Sequence, residues 1–113
     1  MGGVEGGGAG GAASNGEIER RLRIRNKLGL HARAAVKFVQ LASQFRSEIF
    51  VSKDGQEANG KSIMGLLTLV AAFGMEIDLK VKGEDADKAM SALEALVDRG
   101  FDEGVHDSGK PHA

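Results

Sequence analysis

Residues 75–100 read MEIDLKVKGEDADKAMSALEALVDRG, and one glycine in this stretch separates two hydrophobic periodicities. Apolar and charged residues alternate from Met75 to Lys82, which is typical of a strand with one buried face. After Gly83 the apolar residues recur at helical spacing, and they are Ala86, Ala89, Met90, Leu93, Leu96 and Val97. Gly100 suits a helix C-cap, and the acidic residues at positions 84, 85 and 87 suit a helix N-terminus. The stretch therefore predicts a strand followed by an amphipathic helix.

The chain before this stretch repeats the same two periodicities. The predicted strands are 18–25, 48–52 and 57–59, and the predicted helices are 32–45 and 62–69. Arg20 is the one charged residue on the apolar side of the first strand, and Asp54-Gly55 suits a tight turn. The order β-α-β-β-α-β-α, with one apolar face in each element, predicts an α+β fold in which helices cover one face of a sheet.

The two ends of the chain differ in composition from this central part. Residues 1–16 hold eight of the 17 glycines and one charge, so they cannot bury enough apolar surface to offset the entropy of ordering. No strand precedes these glycines and no Gly-Lys-Ser/Thr follows them, which argues against a phosphate-binding loop. We expect a flexible tail at 1–16, one domain at 17–102, and a polar, frayed tail at 103–113.

Composition excludes several classes of function. The net charge is −1 and the only aromatic residues are five phenylalanines, so neither nucleic acid nor an anionic membrane surface is an expected partner. Cysteine is absent, which excludes disulfides and thiolate metal sites and fits a cytoplasmic location. No apolar run approaches the roughly 20 residues needed to span a bilayer, and no secretory signal is visible at the N-terminus. No metal or other cofactor is predicted.

The chain has three histidines, and their surroundings separate them. His106 and His112 lie in the polar C-terminal tail, where no rigid frame or further ligand indicates a metal site. His31 lies where the loop 26–30 ends and the first helix begins. Position alone favours a capping or surface histidine without chemistry, because histidines at helix starts are common.

The start of the first helix is nevertheless a site suited to an anion. The first backbone N–H groups of a helix lack internal partners, and the helix dipole adds positive potential there. A phosphoryl group on the His31 imidazole would lie beside the N–H groups of Ala32 and Arg33. The Arg33 guanidinium would add a fork that fits phosphate oxygens.

Three motifs in this chain resemble those of one known family. Residues 29–35 (GLHARAA) resemble the active-site signature of HPr, the histidine phosphocarrier of the bacterial phosphoenolpyruvate-dependent phosphotransferase system. Residues 61–66 (KSIMGL) resemble the regulatory serine segment of that family, and 83–85 (GED) resemble the start of its last helix. The resemblance covers about residues 17–102. It implies an open-faced β-sandwich, with a four-stranded antiparallel sheet and three helices on one face.

The resemblance also implies partners and roles. Enzyme I would donate a phosphoryl group to Nδ1 of His31, Arg33 would be the supporting cation, and IIA-type domains would receive the group. The protein would be a monomeric carrier and not an enzyme. The family usually has proline where this chain has Ala34, which retains a free N–H but loses the rigidity of proline.

Two roles remain open for the segment at 61–66. Ser62 is either a plain helix N-cap or a regulatory phosphorylation site, which an HPr kinase/phosphatase would modify. Ile63 and Met64 are either core residues or a docking patch for partners.

Two rival functions also remain open. One is a small ligand-sensing domain without phosphoryl chemistry, since a fold of this size hosts many functions. The other is an enzyme that uses His31 as general base, although the sequence indicates no enclosing pocket and no carboxylate placed to orient the imidazole. For a carrier, sugar uptake, nitrogen-linked signalling and regulation without transport are all open.

Overall fold

The computed structural model describes residues 16–106, in which four strands and three helices follow one another in the predicted order. The strands are β1 (Glu17–Arg23), β2 (Glu48–Lys53), β3 (Gln56–Asn59) and β4 (Glu76–Lys82). The helices are α1 (Ala32–Ala42), α2 (Ile63–Leu67) and α3 (Ala86–Asp98), and a 3-10 turn follows at Gly100–Asp102. The predicted glycine-rich tail, apart from Gly16, lies outside the described residues, as does His112.

The strands form one antiparallel sheet in the order β1-β4-β2-β3. The alternating apolar residues of neighbouring strands stand opposite one another, as Leu79 of β4 does with Val51 of β2. Their side chains are buried together with the apolar stripes of α1 and α3, including Phe38 and Leu93. The predicted fold, an open-faced sheet with three helices on one side, is confirmed.

Arg20 occupies an inward-facing register position of β1 and yet reaches solvent. β1 is an edge strand, and the Arg20 guanidinium forms an ion pair with Glu94 of α3 at 2.6 Å. A long side chain can start from an inward-facing position and still carry its charge to the surface, where Arg20 is paired.

Two helices are shorter than their apolar patterns predict. The last predicted turn of α1 is replaced by i→i−3 bonds, from the amide of Gln44 to Leu41 O and from that of Phe45 to Ala42 O. After α2 the bonds likewise become i→i−3, from the amide of Leu69 to Leu66 O and from that of Val70 to Leu67 O. Val70 then has a φ of 50°, which an α-helix cannot continue. Tight turns therefore take the place of the predicted helix ends.

The expectation that the chain frays after residue 102 is wrong for residues 103–106. Phe101 is fully buried and anchors the segment after α3 to the core. Beyond it, the amide of His106 donates to Arg25 O at 2.8 Å, and the His106 ring packs edge-on against Phe73. The contacts of the folded domain thus extend past the predicted boundary.

Candidate functional site

His31 is the N-cap of α1, and its side chain makes no capping hydrogen bond. The His31 carbonyl accepts the first intrahelical bond, from the amide of Ala35 at 2.8 Å. The amides of Ala32 and Arg33 come earlier in the helix and have no helical acceptor. The ring therefore stands beside a helix N-terminus without using its N–H groups.

The loop before His31 is held close to the segment after α2. The amide of Leu30 donates to Ala71 O at 2.8 Å, and Leu30 is buried. Gly29 has a φ of 70°, and a Cβ at this position would lie 2.6 Å from the same Ala71 oxygen. Only glycine permits this close approach, so the loop fixes where His31 enters the helix.

The residues that follow His31 face different surroundings. Arg33 is exposed in the first turn of α1, whereas Ala34 is fully buried in the core. Within residues 16–106, no carboxylate lies within ion-pair distance of the Arg33 guanidinium. Its charge is therefore available to an anion at the end of the helix.

A carboxylate lies directly against the His31 ring. Oε2 of Glu103 is 2.6 Å from His31 Nε2, although 72 positions separate the two residues in the sequence. Oε1 of Glu103 accepts a hydrogen bond from the Asn26 side-chain amide at 2.9 Å. The expectation that no carboxylate orients the imidazole is wrong. Sequence reasoning missed Glu103 because its contact depends on the burial of Phe101.

Opposing effects act on the Glu103 carboxyl group. Burial raises its pKa, but hydrogen bonds from Asn26 and His31 and the positive charge of Arg33 outweigh burial. The net result is a pKa below the ordinary value of 4.5, so this carboxyl group is ionised near neutral pH.

The surface around His31 is an open depression with several cationic walls. Its lining includes Lys27, Leu28, Arg33 and Lys37 as well as the His31–Glu103 pair. Nε2 of His31 contacts Glu103, whereas Nδ1 has no hydrogen-bond partner among residues 16–106. A ring nitrogen with a free lone pair, at a helix N-terminus and near cations, is suited to receive a phosphoryl group. Among residues 16–106, no group of three or more His, Asp or Glu side chains is arranged to hold a metal ion.

The segment at 61–66 begins with a helix cap. Ser62 is the N-cap of α2, and its Oγ accepts a hydrogen bond from the Gly65 amide at 3.0 Å. Ile63 and Met64 are exposed by 37% and 72%, whereas Leu66 is buried. Of the two roles left open for Ile63 and Met64, the core role is therefore wrong.

The family profile described as "PTS HPr component phosphorylation site" matches residues 18–99. The chain belongs to the HPr family. Phosphocarrier protein HPr of Neisseria meningitidis is 52% identical over 87 residues, which cover 77% of this chain and 98% of the relative. HPr proteins are phosphocarriers of the phosphotransferase system, and that general role applies to this member.

Solved HPr structures show the same fold. HPr from Thermoanaerobacter tengcongensis superposes with a TM-score of 0.74 at 44% identity, covering 77% of this chain and 98% of its own. A dimer of HPr from the same organism superposes with a TM-score of 0.61 at 45% identity, covering 71% and 92%. No helix within the described part of this HPr family member is long and apolar enough to cross a bilayer.

Proposed function

We propose that this protein accepts a phosphoryl group from enzyme I on His31 and passes it to IIA-type domains. The observation that carries the proposal is the position of His31, whose ring caps no amide at the start of α1 and whose side chain is 29% exposed. A partner's phosphoryl group can therefore reach the ring from solvent.

The groups beside His31 supply what a phosphorylated imidazole needs. The backbone amides of Ala32 and Arg33 would donate to the phosphoryl oxygens, assisted by the dipole of α1. The exposed Arg33 guanidinium would pair with the same oxygens, as a charge-assisted contact. We assign Arg33 to transfer and not to folding, because its charge faces solvent.

Partner docking would use the exposed apolar residues of α2. α2 packs against α1, and the segment after α2 is bonded to the His31 loop through Ala71 and Leu30. Ile63 and Met64 therefore lie on the elements that frame the site, and their exposed side chains suit an interface with enzyme I or a IIA-type domain. We propose that the active species is a monomer, since a carrier exposes one docking surface to successive partners.

Ser62 would be a regulatory phosphorylation site within this surface. A phosphate there would add about −1.5 to −2 charges at the start of α2. The helix dipole tolerates that charge, so the expected effect falls on docking and not on the fold. An HPr kinase/phosphatase would be the modifying partner.

The open site supports a stoichiometric carrier better than an enzyme. His31 faces an open depression and not an enclosed cavity, so water and partner proteins share access to the ring. We propose that the protein acts in the cytoplasm, consistent with the absence of cysteine from the sequence.

Phosphorylation by phosphoenolpyruvate and enzyme I tests this proposal. We expect one acid-labile, base-stable phosphoryl group per chain, as in a phosphoramidate, and we expect none on His31→Ala. His106→Ala is the matched control, because it removes a histidine that packs on Phe73, and it should label like wild type. An unlabelled wild type would indicate a ligand-sensing domain, and substrate turnover without a stable label would indicate an enzyme with His31 as general base.

A further inference from the structure

The Glu103 carboxylate is fixed from two sides by the segment that leads into α1. Its Oε1 accepts from Asn26 and its Oε2 faces Nε2 of His31. Asn26 is fully buried, and its side-chain amide also donates to Gly29 O at 2.8 Å. Since Asn26 cannot turn away without breaking both bonds, it sets the orientation of the carboxylate toward the ring.

An ionised carboxylate decides which ring nitrogen carries the proton. A carboxylate accepts hydrogen bonds and cannot donate them, so the contact at 2.6 Å requires a proton on Nε2. In a neutral imidazole the other nitrogen then holds a free lone pair. Among residues 16–106, Nδ1 of His31 has no hydrogen-bond partner.

We propose that Glu103 is a positioning residue, which holds His31 in the Nε2–H tautomer and thereby leaves Nδ1 as the nucleophile. This inference rests on the proposed function of His31. The carboxylate does not touch the incoming phosphoryl group; it acts through the ring.

The same contact stabilises the product of transfer. Nδ1 attacks phosphorus, the bond between phosphorus and the donor breaks, and its electron pair returns to the donor. Nε2 keeps its proton throughout, so the phosphorylated ring gains a positive charge beside the Glu103 carboxylate. The negative phosphoryl oxygens lie at the opposite nitrogen, near Arg33. Each charge that develops therefore has an opposite charge already in place.

The tautomer is measured by 15N NMR of the imidazole nitrogens in the full-length protein. Wild type should show a protonated Nε2 and an unprotonated Nδ1, and Glu103→Ala should shift the ring toward a mixture of tautomers. Glu103→Gln keeps an oxygen that can accept from Nε2, so it should retain the wild-type tautomer. Asp102→Asn is the matched control, because Asp102 pairs with Arg99 and Lys37 and its φ of 65° suits asparagine. An unchanged tautomer in Glu103→Ala would overturn the inference.

Transfer from enzyme I is the second readout. Glu103→Ala should lower kcat for phosphorylation about tenfold with little change in KM, the size expected for one charge-assisted hydrogen bond lost from the transition state. The kcat of Glu103→Gln should stay within about threefold of the wild-type value, and the kcat of Asp102→Asn should equal the wild-type value. If Glu103→Ala changed only KM, Glu103 would act in partner docking. If Glu103→Ala transferred faster than wild type, the carboxylate would hinder the approach of the phosphoryl group. An equal loss in Asp102→Asn would reflect general charge, and each of these three results overturns the inference.

The two readouts separate this inference from the proposed function. If His31 were never phosphorylated, the proposed function would fail, while the tautomer measurement would still report on Glu103. If wild type were phosphorylated and Glu103→Ala matched it in kcat, only the role of Glu103 would fail.

Discussion

The carboxylate of Asp85, at the start of α3, holds the backbone of Ser47, at the end of the loop between α1 and β2. Asp85 accepts from the Ser47 amide at 3.0 Å, from the Ser47 hydroxyl, and from the Arg46 amide at 2.9 Å. The close approach requires Gly83, since a Cβ there would lie 2.7 Å from Ser47 Cα. The sequence predicts negative charge at the start of this helix, and Asp85 is its N-cap. The Asp85 carboxylate also ties α3 to the loop that precedes β2.

We predict that Ser47→Ala lowers the free energy of unfolding by about 1 kcal/mol, because it removes the buried hydroxyl that donates to the Asp85 carboxylate. A change of that size should lower Tm by about 4–8 °C in a domain of this length. Thermal melting measures it, and an unchanged Tm would show that the contact adds nothing to stability.

Asp85 should also make stability depend on pH. Hydrogen bonds from Ser47 and from the Arg46 amide lower the pKa of Asp85 below its ordinary value of 3.8. Because this pKa is lower in the folded protein, ionised Asp85 stabilises the fold fully at pH values above the pKa it has in the unfolded chain. That stabilisation is lost as the pH falls through the pKa of Asp85 in the folded protein. Urea unfolding at falling pH should therefore show a steeper loss in wild type than in Asp85→Asn. Equal slopes in the two proteins would refute the prediction.

The local sequence pattern predicts the strands, the helices and the place of His31 at the start of α1, but it does not predict the contact between His31 and Glu103. The burial pattern of residues 76–82 and of α3 follows the sequence periodicity, because the apolar residues of each element recur on one face. The contact between Glu103 and His31 joins residues 72 positions apart and depends on Phe101, whose φ of 54° and full burial no local pattern indicates. The end of α1 was missed because its apolar residues continue into tight turns.

Arg33→Ala should slow transfer and leave the fold intact. The side chain is exposed, so the free energy of unfolding should change by no more than about 0.5 kcal/mol. Transfer should slow about tenfold, since a charge-assisted contact to phosphate is lost. Arg33→Lys keeps the positive charge but lacks the forked guanidinium, so its transfer rate should lie between those of wild type and Arg33→Ala. Arg23→Ala, on β1, is the control and should transfer like wild type. Transfer at the wild-type rate in Arg33→Ala would contradict the role of Arg33 in transfer.

Ser62→Asp should weaken binding of enzyme I while the protein still melts like wild type. The new charge lies at the start of α2 beside the exposed Ile63 and Met64, where it would hinder burial of apolar side chains. Titration of enzyme I at two salt concentrations measures the effect, which should be larger at low salt. Ser91→Asp adds the same charge on α3 and should bind normally. Ser62→Ala should retain transfer but lose about 0.5–2 kcal/mol of stability with its N-cap.

Met64→Ala should lower the affinity for enzyme I about threefold to tenfold, the loss of one apolar anchor at an interface. Its side chain is 72% exposed, so stability should stay near wild type. Met75→Ala removes a second exposed methionine, just before β4, and serves as the matched control. If both variants bound enzyme I equally well, docking would not use Met64.

The most direct measurement of the central claim is the mapping of the phosphoryl group after reaction with phosphoenolpyruvate and enzyme I. Mass spectrometry of the labelled protein, digested at neutral to basic pH to preserve a phosphoramidate, identifies the modified residue. We predict that one phosphoryl group is found, on His31, and that it disappears when a IIA-type domain is added. A phosphoryl group on any other residue, or an unmodified His31 under conditions where enzyme I itself is phosphorylated, would contradict the account.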